Sequence, residues 1–193
     1  MKINKLNIGL GGILALIGSF VAILSIIISV FLPGMMSVWR TDADMELTPD
    51  GGIYLNWFGF FTGTIGIPDV AFYVLMGGIL ILLGSAFSIL GVLKRSKLIE
   101  IIGSGLILVA PILVIFDLLF GAPDYIHSFP ILTGEVLSNF FGTTQAHALG
   151  EDILFTWGLS VGYFMVIAGG ILGLIGGMFY DHKLSIRKKK DLN

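Results

Sequence analysis

The chain has 193 residues, 55% of them hydrophobic and only 12% charged, with a mean hydropathy of +0.96. Soluble domains carry about 25% charged residues, so a water-soluble globular protein is excluded. The absence of cysteine removes disulfide staples, thiolate metal centres and thiol redox chemistry; the net charge of −2 conceals a one-sided distribution.

Met1 to Lys5 is a short basic start, and the apolar run that follows is the first span, about 8–32. A basic start before an apolar run also describes a signal peptide. That apolar region is usually about 7–15 residues; this one is longer and lacks a small-x-small cleavage site, so a retained helix is expected. Pro33-Gly34 ends it. The first long loop, 33–69, holds Met45-Glu46-Leu47-Thr48, the turn signal Pro49-Asp50-Gly51-Gly52 and the aromatic run 53–62, which together predict a β-hairpin. The second span covers 70–93, the tight basic turn Lys94-Arg95-Ser96-Lys97 follows, and the third span covers 98–120, so these two form an antiparallel helical pair. Pro111 inside the third span removes one backbone hydrogen bond. In the second long loop, 121–156, Ile131, Leu132, Val136, Leu137, Phe140 and Phe141 give an apolar stripe at helical spacing, read as an interfacial helix. The fourth span, 157–180, is charge-free, and a basic tail closes the chain. Each span reaches the roughly 20 apolar residues that a bilayer crossing needs.

Gly169, Gly173 and Gly177 recur every fourth residue in the fourth span. Lipid gives helices little reason to hide Leu against Leu, so small residues that let backbones approach hold them together. These glycines are expected to pack against another helix. The orientation follows from charge. Lys2, Lys5, Lys94, Arg95, Lys97, Lys183, Arg187, Lys188, Lys189 and Lys190 lie on one side and only Arg40 on the other. Basic residues stay cytoplasmic, which predicts a multi-pass protein of the cell membrane with both termini cytoplasmic and both long loops outside.

The expected fold is therefore an all-α membrane protein. It is a four-transmembrane-helix bundle with a small extracellular β-like region from the first long loop, in a single membrane domain over 1–193. Asp117 is read as the ionisable residue nearest a span interior and is placed at headgroup level. Asp42, Asp44 and Glu46 alternate, so an extended segment puts all three on one face. That face is either a solvated acidic edge or a cation-attracting surface. His147 and Glu151 are four apart and would share a helical face, as metal ligands do. No phosphate loop, nucleophile elbow or catalytic carboxylate pair is present, so no enzyme activity and no cofactor are expected.

Trp39, then Gly52-Ile53-Tyr54 with Trp57 nearby, in the first outer loop of a four-span chain, resembles the claudin/PMP22-type tetraspan superfamily. That family carries a Trp, then Gly-Leu-Trp, then two Cys in this loop; here the separation is shorter, Tyr54 stands for Trp and both Cys are missing. The resemblance implies an antiparallel outer sheet on a left-handed bundle, with side-by-side association in the membrane. It also implies a structural, adhesion or paracellular-type pathway role in which Asp42, Asp44 and Glu46 favour cations. The alternative is an accessory subunit of a larger membrane complex, and a third reading is a metal-dependent membrane enzyme using His147 and Glu151. The expected partners are the lipid bilayer and either further copies of the chain or other membrane proteins, with no nucleic acid.

Overall fold

The computed structural model describes residues 9–44, 51–63, 70–121, 141–148 and 151–179. Helix α1 (Leu10–Phe31) is followed by one short helical turn, α2 (Pro33–Met36), and then by strands β1 (Trp39–Asp44), β2 (Gly51–Leu55) and β3 (Phe61–Gly63). Helices α3 (Phe72–Lys94) and α4 (Lys97–Phe116) come next, the latter running on as a π-helical turn, Asp117–Gly121. Strands β4 (Phe141–Ala148) and β5 (Glu151–Leu159) lead into α5 (Val161–Met178). Among the described residues, four helices are long and apolar enough to cross a membrane: Leu10–Phe31, Phe72–Lys94, Lys97–Phe120 and Val161–Met178. The chain is mostly helical, with one small antiparallel sheet at one end of the bundle.

The helices form a ring in which α1 lies between α3 and α5, and α4 lies between the same two. What they bury is small. The buried residues of α1 are Gly11, Gly12, Ala15, Gly18, Ser19, Ala22, Ser25, Ile26 and Ser29. What they expose is large and apolar, including Phe20, Leu82, Ile112 and Phe164. A soluble bundle does the reverse. Glycines set the spacing of the seams. A Cβ on Gly169 would lie 2.6 Å from the Gly18 carbonyl oxygen on α1, and one on Gly176 would lie 2.6 Å from that of Gly11. Gly84 and Gly103 bring α3 and α4 together in the same way.

The glycine row of α5 serves two neighbours. Gly169 faces α1, whereas Cβ atoms on Gly173 and Gly177 would strike Ser104 and Glu100 of α4. With 3.6 residues per turn, each four-residue step advances about 40° around the helix, so a row of three turns from one neighbour to the next. Helix α5 also starts later than the apolar run, because Trp157, Gly158 and Leu159 belong to β5. Backbone pairing of Gly158 with Arg40 and Phe141 holds that segment extended, which hydropathy alone does not reveal.

The sheet has strand order β3-β2-β1-β5-β4 and is antiparallel throughout. It therefore draws strands from both long loops, not from the first alone as expected, and the second loop supplies the two longest strands. The hairpin of the first loop is also shifted. Its strands are 39–44 and 51–55, so Gly51 and Gly52 lie in a strand instead of a turn, with Gly52 opposite Asp42. The Tyr54 ring covers Gly52, where any side chain would collide with it; an aromatic laid over a strand glycine restores the packing that glycine lacks. Residues 131–140 of the expected interfacial helix, like Glu46, lie outside the described residues, and Phe141 opens β4.

Candidate functional site

Alternation along the strands gives the sheet two faces. Trp39, Thr41, Ile53, Leu55, Ile153 and Trp157 are buried and turn towards the bundle. Arg40, Asp42, Tyr54, Phe141, Thr143 and Gln145 turn away from it. Of the residues marked by the family resemblance, Trp39 is fully enclosed at the start of β1, while Gly52 and Tyr54 lie together on the opposite face.

Trp57 fastens the sheet to the helices. Asn56 organises the turn that carries it: its Oδ1 accepts from the backbone N–H groups of Phe58 at 2.8 Å and Phe60 at 3.2 Å. Its own backbone N–H donates to the Phe60 carbonyl, and its carbonyl accepts from Gly59. Gly59 takes a left-handed φ of 74°, which a side chain would resist, and its carbonyl accepts from Ala71 just ahead of α3. The turn drives Trp57 between α1 and α3, with the ring against Gly77 and the backbone against Gly78. Trp57 Nε1 donates to Ser25 Oγ at 3.0 Å, and Ser25 Oγ donates in turn to the Gly162 carbonyl at 2.8 Å. One serine thus joins the plug, α1 and the first turn of α5.

The acidic positions are only partly brought together. Asp42 forms an ion pair with Arg40, Nε to Oδ2 at 3.1 Å, two residues away on the same face. Exposed pairs of this kind contribute about 0–1 kcal/mol, but the guanidinium offsets one carboxylate that the alternating pattern counted as bare. Asp44 stands opposite Leu154 in the ladder. His147 and Glu151 are not on a helix: they lie on β4 and β5, where His147 pairs with Asp152 and Glu151 with Ala148. Four-residue helical spacing is therefore the wrong geometry for them, and no metal-binding cluster occurs among the described residues.

Two carboxylates are buried within the protein. Asp117 is 1% exposed. The π-helical turn carries it beside α3, where the Tyr73 backbone N–H donates to its carboxylate. Ala71, the N-cap of α3, supplies no side-chain cap, so Asp117 satisfies one of the donors that a helix start leaves open. Glu100 is wholly buried in the first turn of α4. Ser104 Oγ donates to its Oε1 at 3.1 Å, whereas Oε2 is packed against Gly177 and has no hydrogen-bond partner among the described residues. The sequence signal for Glu100 is the helical period: it falls on one stripe with Gly103, Ser104, Ile107, Ala110, Pro111 and Val114, all buried.

No protein-family model matches the chain, and no curated protein matches it in sequence.

Proposed function

We propose that the chain is a claudin/PMP22-type tetraspan of the cell membrane, with both termini cytoplasmic, that acts without catalysis by associating through its extracellular sheet. The observation that carries this reading is the β4 edge. Strand β4 reads Phe-Gly-Thr-Thr-Gln-Ala-His-Ala, with no Lys, Arg, Asp, Glu or Pro. Among the described residues no further strand pairs with it. Natural sheets usually guard such an edge with charge, proline or brevity; β3, at the other edge, has only three residues. An eight-residue unguarded edge is a template for another chain. A sheet built from both long loops supports the family reading, and large apolar side chains facing out with glycines facing in support a lipid surround. The one-sided Lys and Arg distribution supports the orientation.

The test is association of the reconstituted protein across a range of protein-to-lipid ratios, read by single-molecule subunit counting. The wild type is expected to associate, and Thr143→Lys, which places an exposed charge on the edge strand, to shift it towards monomer. A wild type that stays monomeric throughout, or a Thr143→Lys protein that associates equally well, removes the reading.

A further inference from the structure

At the end of the bundle opposite the sheet, α3 and α4 leave a groove of about 320 Å³ between them. Its walls are Phe87 and Leu90 of α3 and Ile99 and Ile102 of α4, and Lys94 lies at its rim. Leu90 and Ile102 are 42% and 49% exposed, so the groove opens outward, away from the bundle interior. The turn beside it is pinned. Arg95 adopts a left-handed φ of 54°, and it is the only described residue other than glycine with positive φ. Its N–H donates to the Val92 carbonyl, while the Ser96 N–H donates to that of Gly91. Glycine fits such a helix-ending position best, and any other residue there carries a strain of about 1–3 kcal/mol. A cation thus stands where the backbone favours glycine. Helix α4 begins immediately afterwards with no side-chain cap at Ser96, and a helix start favours an anion.

We infer that this groove holds one acyl chain of an anionic phospholipid whose phosphate is bound by Lys94 and Arg95. The inference rests on the membrane-spanning reading above. Four apolar walls suit a chain of methylenes, and Lys94 on the groove, with Arg95 next to it in the turn that ends α3, offers charge for a phosphate where the headgroup would lie. Each cation near an anionic lipid surface contributes about a five-fold change in binding.

The experiment is native mass spectrometry of the protein released from nanodiscs of phosphatidylcholine containing a minority of phosphatidylglycerol. The wild type is expected to retain one phosphatidylglycerol. Lys94→Gln and Arg95→Gly should each lower its retention about five-fold, and Leu90→Trp, which fills the groove from an exposed position, should abolish it. Arg95→Gly should also raise thermal stability, so loss of lipid cannot be ascribed to loss of fold. Glycerol phosphate, which has no acyl chain, should not displace the lipid. Unchanged retention in Arg95→Gly and Leu90→Trp overturns the inference, as does displacement by glycerol phosphate, which would reduce the site to a phosphate site. A protein that inserts but retains no lipid also overturns it, whereas a protein that fails to enter nanodiscs at all overturns the membrane reading instead.

Discussion

Trp57 has its ring enclosed, its Nε1 donating to Ser25 Oγ and its backbone N–H facing Ser29 Oγ at 3.4 Å. Removing that side chain leaves a cavity between α1 and α3, and Trp→Ala changes in cores cost about 3–5 kcal/mol. Trp57→Ala should therefore lower the melting temperature in detergent sharply. Trp57→Phe keeps most of the volume and loses only the Ser25 bond, worth about 1 kcal/mol; equal losses in the two variants would mean that the ring does not fill the gap. Glu100 gives the opposite expectation. Its Oε2 has no partner among the described residues, and buried charge contributes little or negatively to stability against an apolar replacement. Glu100→Met should leave the melting temperature unchanged or raise it; a marked fall would mean that the carboxylate is paired in the native protein. At Asp42 the ion pair with Arg40 predicts that Arg40→Gln strengthens cation attraction to the sheet, while Asn or Gln at Asp42, Asp44 and Glu46 together weakens it. Measured cation binding that ignores both changes leaves only a solvated edge. Individual residues were the hardest scale to read from the sequence. Trp57 stood in an apolar run where every aromatic looked alike, and Glu100 was hidden beside the Lys94–Lys97 turn, where a carboxylate passes for surface charge.

Among the elements, the four apolar runs were legible because lipid crossing demands length and apolarity together, and the helices that form have those properties. Ends were less legible. Trp157–Leu159 is as apolar as the helix it precedes, and only pairing with β1 and β4 keeps it extended. The glycine spacing in α5 marks a packed face, but not that the face divides between α1 and α4. Two variants separate packing from glycine content. Gly173→Leu drives a large side chain into Ser104 and should lower thermal stability in detergent. At Gly105 a Cβ meets nothing within 4 Å, so Gly105→Ala should be neutral or stabilising by up to about 1 kcal/mol from helix propensity alone. Similar losses at both positions would show that the seam is not set by close backbone approach.

At the scale of the molecule, long-range pairing was illegible. Nothing in 33–69 or 121–156 taken singly indicates that β1 joins β5, because register is settled only when both loops sit over the same bundle end. That joint sheet at one end of the four-helix bundle, proposed to face outward, is the centre of the account. Asp42 and Thr156 are register partners on β1 and β5, one from each loop, and paired strand residues have Cα separations of about 4.5–5.5 Å, within disulfide reach. The chain has no other cysteine to confuse the result. With Asp42→Cys and Thr156→Cys introduced together and expressed in intact cells, the account predicts an intramolecular disulfide, seen as a two-hydrogen mass loss reversed by reductant. Either single variant should give none. Two thiols that remain reduced and separately alkylatable in the folded double variant would contradict it, since the loops would then either not share a sheet or not face the oxidising side of the membrane.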